Sequence, residues 1–265
     1  VSDPAEKDPI QIRLRNVKKS YGDHEVLHGV SLDVYRGITN VIIGASGAGK
    51  SVLIRQIIRL ERPDEGSIEV DGVDIVPMNE VQLTKVRRKF GMVFQMSALF
   101  DSMTVFDNVA FPLREHTKMR RGEVRERVMS RLTDLEVEHA AKKMPSELSG
   151  GMQKRVAVAR ALVLEPEVLI YDEPTTGLDP ITSRTVDELM IRTREQFGVT
   201  GIVITHDMAS VFKIADRINY LYRGRITASG TPEEFLASQD PATRDFLEAS
   251  GVGTSAVFEE RMSLS

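Results

Sequence analysis

Cysteine is absent from the 265 residues, which removes disulfides, thiolate zinc sites and cysteine nucleophiles together. Positive charge is not in excess. Against 35 Lys and Arg stand 39 Asp and Glu, a formal net charge of −4 with a pI near 5.8. Without a bulk basic field, nucleic acid is not an expected partner. The short basic runs Arg87-Arg88-Lys89 and Arg120-Arg121 read as solvated helix faces. Long apolar runs are missing too: none approaches the roughly 18 residues of a membrane span. The charged start has no apolar core and does not read as a secretory leader. The expectation is a soluble, cytoplasmic protein that reaches any membrane through another polypeptide. Hydrophobic residues at 41% and charged residues at 28% are ordinary for one large globular domain.

Residues 1–9 carry two prolines and several charges and read as a flexible lead-in. Ile10-Gln-Ile12-Arg-Leu14 and Val30-Ser-Leu32-Asp-Val34 alternate with period two, as half-buried strands do. Residues 38–43 end in the unbroken run Val41-Ile-Ile43 before a glycine, the pattern of a central strand covered on both faces. Residues 51–60 carry apolar side chains at helical spacing. A short strand follows at 66–72, and 90–94 reads as a buried strand. Val124, Val128 and Leu132 stand four apart in 120–135, an amphipathic helix with a charged face; 150–162 is a second helix. Buried strands at 168–172 and 201–205 flank a helix around 183–197. Residues 218–222 and 225–228 make a hairpin through Arg223-Gly224, and 231–237 a short helix opened by Pro232. This alternation predicts a parallel α/β core over residues 10–239, interrupted by a helical subdomain at about 97–162. From 240 to 265 the pattern fades into an extension with too little apolar surface to fold alone. In it, Phe246-Leu247 and Val257-Phe258 read as two anchors on a strap that docks on another subunit.

Gly44-Ala45-Ser46-Gly47-Ala48-Gly49-Lys50-Ser51 fits GxxxxGK[ST]. Glycines let backbone N–H groups turn inward around phosphates, and the helix opening through Val52 offers its positive end to the same anion. Lys50 is expected at the β- and γ-phosphates and the Ser51 hydroxyl on Mg2+. The run Val168-Leu-Ile-Tyr-Asp172-Glu173 puts a carboxylate at the C-terminal end of a central strand, where ligands bind in open α/β sheets. Alone it would be a solvated strand end. Beside the glycine loop, Asp172 becomes the expected Mg2+ ligand, and Glu173 the group that orients and deprotonates the attacking water.

Leu148-Ser149-Gly150-Gly151-Met152-Gln153 resembles the signature of ABC (ATP-binding cassette) ATPases. The resemblance covers residues 10–238. It implies a P-loop NTPase fold: a mainly parallel sheet, an N-terminal antiparallel β subdomain and an inserted α-helical subdomain. It also implies that ATP and Mg2+ are bound between two copies of the chain. Ser149 and Gly151 then face the ATP of the opposite copy, and Ser149, Gly150, Gly151 and Asp179 lie at the dimer interface. Tyr21 matches the aromatic that stacks on adenine, Gln95 the glutamine that touches Mg2+ and water, and His206 the histidine at the γ-phosphate. Met152 departs from the usual glutamine; since the family's phosphate contacts come from the matches of Ser149 and Gly151, hydrolysis is expected to survive.

The stretch from Phe94-Gln-Met-Ser-Ala-Leu-Phe100 through Phe106-Asp-Asn-Val109 is similar to the ATPases of Mla- and Mce-type lipid transporters. That resemblance implies a membrane permease pair, a STAS-type accessory subunit and a periplasmic MCE-domain lipid-binding protein as partners. It implies a place on the cytoplasmic face of the inner membrane. Transport of another solute, such as an amino acid, and a non-transport ABC role are the alternatives. Leu99, Phe100 and Phe106 are expected to line a groove for a permease helix.

Overall fold

The computed structural model describes residues 9–251. Two long strands come first, β1 (Ile10–Tyr21) and β2 (His24–Tyr35), paired antiparallel with Ile12 opposite Val34 and Leu14 opposite Leu32. β3 (Thr39–Ile43) leads into α1 (Lys50–Ile57). β4 (Glu65–Val70) pairs with the free side of β1, and β5 (Val73–Asp74) closes a four-stranded antiparallel sheet in the order β2-β1-β4-β5. After α2 (Glu80–Arg87) and β6 (Phe90–Val93) comes a helical stretch: α3 (Val105–His116), α4 (Arg121–Asp134), two short 3-10 turns and α5 (Gly150–Leu162). The chain continues through β7 (Val168–Asp172), α6 (Pro180–Phe197), β8 (Thr200–Ile204), α7 (Met208–Ile214), β9 (Arg217–Tyr222), β10 (Arg225–Gly230), α8 (Pro232–Leu236) and α9 (Pro241–Ala249). The second sheet runs β10-β9-β3-β8-β7-β6, parallel throughout except for the β9–β10 hairpin.

The unbroken apolar runs have a direct cause. Ile42, Ile170, Ile202 and Ile204 point to a cluster shared with Leu53, Ile54 and Ile57 of α1 and with Ile12, Leu14 and Leu32 of the antiparallel sheet. Their neighbours Val41, Ile43, Leu169, Tyr171 and Val203 point the other way, into a cluster with helices α3 to α7. Both faces are covered, so alternation disappears from β3, β7 and β8. The helical stretch has no core of its own: Val109, Val128, Leu132 and Val156 belong to the same cluster as the sheet.

Four sequence expectations are corrected. β6 ends at Val93 and alternates half-buried with buried residues rather than being buried throughout, because it is an edge strand paired only with β7. The run Arg87-Arg88-Lys89 is solvated only at Arg88; Arg87 and Lys89 are half-buried. Arg87 donates to the carbonyls of Ile58 at 3.2 Å and Arg59 at 2.5 Å, Arg88 to that of His116 at 2.9 Å, and Lys89 pairs with Asp71 and with Glu167 at 3.3 Å. Half-buried carbonyls recruit Arg87 and half-buried to exposed carboxylates recruit Lys89, and composition carries no sign of that.

The pattern also does not fade at residue 240. Asp240 caps α9, its carboxylate accepting from the Thr243 amide at 2.9 Å. The fourth correction concerns the first strap anchor. Leu247 is buried and the Phe246 ring lies 4.8 Å from that of Tyr220, so this pair is spent on the chain's own β9. Two adjacent apolar residues suffice because Tyr220, Tyr222 and Phe235 already form an aromatic surface to receive them. Val257-Phe258 lies outside the described residues. Phe246→Ala should lower unfolding free energy by about 1–2 kcal/mol, measured by urea titration. Unchanged stability would mean that α9 is not held through this ring.

Candidate functional site

The loop of residues 44–49 turns over the C-terminal end of β3, between the two sheets. Gly44 is needed there for space: a Cβ would stand 2.4 Å from the Leu221 carbonyl oxygen of β9. Gly49 caps α1 with φ +99°, a backbone angle that L side chains rarely adopt. Lys50, only 8% exposed, folds back across the loop and donates to the carbonyls of Gly44 at 2.7 Å and Ala45 at 3.1 Å. Its ammonium lies 3.9 Å from Glu173. Burial pushes the Lys50 pKa down, against the opposing pull of Glu173 and Asp172.

Asp172 ends β7 and Glu173 follows it with φ +49°, a strained backbone for a glutamate. Three groups hold the Glu173 carboxylate: His206 Nδ1 at 2.8 Å, the Thr176 hydroxyl at 2.9 Å and the Lys50 ammonium. Its amide donates to the Ile204 carbonyl at 2.8 Å, which ties it to the end of β8, just before His206. A cation from the loop, a carboxylate from β7 and an imidazole from beyond β8 thus converge at the C-terminal edge of the parallel sheet. That edge is where α/β sheets bind ligands.

Asp172 is half-buried. Desolvation first, then the Glu173 charge, raise its carboxyl above the usual range. Among the described residues neither its carboxylate nor the Ser51 hydroxyl has a hydrogen-bond partner in the protein. Two hard oxygen donors left free beside a phosphate loop fit a Mg2+ ion. Among the described residues no cluster of three His, Cys, Asp or Glu could hold a metal, so such an ion would take its other ligands from phosphates and water.

The remaining sequence candidates make no hydrogen bond or ion pair with Lys50, Glu173 or His206 among the described residues. Tyr21 is 42% exposed; its hydroxyl donates to Glu61, and Lys19 Nζ lies 5.6 Å from its ring. An open cavity of about 650 Å3 beside Gly47 and Ala48 is lined by His24, Val26, His28 and the β9–β10 turn, and neither Glu173 nor His206 lines it. Gln95 is exposed two residues after β6. Ser149 caps α5, its hydroxyl accepting from the Met152 amide at 3.4 Å, and Ser149 and Gly150 are exposed at that helix start. No hydrogen bond joins Ser149, Gly150 or Gly151 to the phosphate loop among the described residues. Asp179 caps α6, accepting from Ile181 N–H at 3.0 Å and Thr182 N–H at 3.1 Å, a role the motif alone does not reveal.

Sequence reasoning missed Thr176, whose hydroxyl reaches Glu173, and Thr175, which donates to Asp207 at 3.4 Å beside His206. A hydroxyl three residues after a strand-end glutamate is the signal that marks Thr176.

The ABC transporter family model matches residues 27–176. The chain is 42% identical over 237 residues to the intermembrane phospholipid transport system ATP-binding protein MlaF of Escherichia coli K12, covering 89% of this chain and 88% of that protein. It is 38% identical over 252 residues to the probable ribonucleotide transport ATP-binding protein mkl of Mycobacterium tuberculosis H37Rv, covering 95% of this chain and 70% of that one. Among solved structures, cbiO1 of Clostridium perfringens, part of an ABC transporter complex, superposes with TM-score 0.80 at 32% identity, covering 91% and 95% of the two chains. The cassette MJ0796, solved as a dimer in a post-hydrolysis state with ADP and Pi, gives TM-score 0.73 at 35% identity over 83% and 98%. The chain belongs to the ABC transporter family. It is an ATP-binding subunit that couples ATP hydrolysis to transport, and its α/β architecture is that of the P-loop ABC ATPases.

Proposed function

We propose that this chain powers phospholipid movement between the inner membrane and the outer envelope of a bacterium, maintaining outer-membrane lipid asymmetry. The observation that carries the lipid reading is the end-to-end likeness to MlaF, at 42% identity across nearly the whole of both chains. The 38% likeness to mkl favours, as a second reading, a transporter of another solute.

Within the site, residues Gly44 to Val52 cradle the triphosphate and Lys50 neutralises its β- and γ-oxygens. Ser51, Asp172 and Gln95 hold Mg2+, which neutralises charge on the phosphates when bound. Glu173 orients the attacking water and takes its proton, while His206 steadies the Glu173 carboxylate and meets the γ-phosphate. Tyr21 stacks on adenine. A second copy supplies Ser149, Gly150 and Gly151 to the opposite nucleotide and approaches through Asp179; the exposure of the α5 start supports this. Permease subunits hold the dimer on the cytoplasmic face of the inner membrane. A STAS-type subunit and a periplasmic MCE-domain protein complete the assembly. Purification from native membranes should bring down a permease, an MCE-domain protein and phospholipid; a solute-binding protein with no lipid would favour the second reading.

The exposed apolar side chains around Gln95 are the candidates for the permease contact. Leu99 and Phe106 pack against the core, leaving Phe100 at 42% exposure, joined by Phe94 at 40% and Met96 at 84%. Phe100→Asp should leave ATP affinity unchanged while the subunit dissociates from its permease in detergent pull-down. Retention on the permease would remove Phe100 from the interface.

A further inference from the structure

Helix α5 buries Val156, Ala157, Val158, Ala159 and Leu162, and among them Lys154, only 5% exposed. A buried ammonium needs a reason, since an apolar side chain of the same length would pack there without the desolvation penalty. Neither Lys154 nor Arg160 forms an ion pair among the described residues, and burial pushes both below their usual pKa values with no carboxylate to oppose it. Both cations spend their donors on one short stretch of backbone. Lys154 Nζ donates to the Gln95 carbonyl at 2.5 Å, and Arg160 donates to those of Ser97 at 2.9 Å and Ala98 at 2.6 Å.

That stretch is strained. Ser97 and Ala98 have φ of +60° and +46°, two consecutive non-glycine residues in the left-handed region. Such a conformation persists only where its surroundings over-determine it, and here the surroundings include a buried ammonium and a half-buried guanidinium aimed at carbonyl dipoles. The same helix begins at Ser149, about 16 Å along its axis from Arg160 at 1.5 Å per residue.

We propose that Lys154, with Arg160 behind it, is a positioning residue that sets the backbone of residues 95–98, and so the reach of the Gln95 side chain, from the helix whose start faces the partner copy's nucleotide. The inference rests on the reading of Gln95 as a nucleotide-site residue. Displacement of α5 when the partner's phosphates arrive is then passed to Gln95 by a direct hydrogen bond rather than through loose packing.

The test uses the complete transporter in lipid nanodiscs, with ATP turnover measured against ATP concentration. Lys154→Met keeps the length and removes the donor. It should lower kcat about tenfold, as small misplacements of a catalytic group do, with KM for ATP and the thermal midpoint little changed. Lys154→Arg, which keeps a cationic donor, should recover most of the loss. In a Gln95→Ala background, Lys154→Met should lower kcat no further. Wild-type kcat in Lys154→Met, or a loss that multiplies in full onto that of Gln95→Ala, overturns the tether. Wild-type kcat in Gln95→Ala alone removes the reading of Gln95 and the tether with it, a distinguishable failure. If Lys154→Met does not assemble, Arg160→Lys carries the same comparison, since a single ammonium does not reproduce the guanidinium's grip on two carbonyls.

Discussion

Glu173→Gln should reduce ATP turnover by about 10²- to 10⁴-fold, the usual contribution of a general base, while ATP affinity stays near that of the unaltered chain. The substitution is nearly isosteric, so the contacts to Thr176 at 2.9 Å and His206 at 2.8 Å have a partner of the same shape. What is lost is the negative charge and the ability to accept a proton. The phosphate loop, Lys50 and Ser51 are untouched, so bound ATP persists and a closed dimer should accumulate, visible by size-exclusion chromatography with ATP. Turnover within a fewfold of the unaltered transporter would remove Glu173 as the base and leave water positioning to other groups.

Lys50→Ala should fail at the earlier step. Lys50 is nearly enclosed, and its ammonium is the cation that stands between the loop and the carboxylates of Asp172 and Glu173. Without it, a triphosphate would enter beside two uncompensated negative charges and lose charge-assisted hydrogen bonds of about 1.5–3 kcal/mol each. ATP affinity should fall by about 10- to 100-fold, measured by isothermal titration calorimetry on the purified chain. A Kd for ATP within twofold of the unaltered value would contradict the placement of Lys50 at the phosphates. The two substitutions separate binding from chemistry: one keeps ATP and loses turnover, the other loses ATP.

Legibility in the sequence follows from how local the physics is. β3, β7 and β8 were plain because burial on both faces leaves a continuous apolar run that no surface element would carry. The phosphate loop was plain because the spacing of its glycines with Lys50-Ser51 is itself the signal, although the neighbours that crowd a Cβ there are distant in the chain, Leu221 at Gly44 and Val26 and Leu27 at Gly49. The long antiparallel pair was recognised only at its alternating ends, since Lys18-Lys19-Ser20 pairs by backbone while its side chains stay outside the core. α9 was missed because its stability depends on Tyr220 and Phe235, which belong to other elements. The grip of Lys154 on Gln95 spans 59 residues of chain, and no spacing rule connects a helix lysine with a distant carbonyl. Thr176 lay within reach of a local rule, as a hydroxyl one turn beyond the strand-end glutamate.

The central claim, that hydrolysis at Glu173 drives phospholipid movement, is tested most directly in proteoliposomes holding the complete transporter and a labelled phospholipid. Transfer of the label to acceptor vesicles, or to a copurified lipid-binding subunit, should require ATP and should stop in the Glu173→Gln transporter while ATP binding continues. Brisk ATP hydrolysis with no phospholipid movement, or movement equally fast in Glu173→Gln, would contradict it.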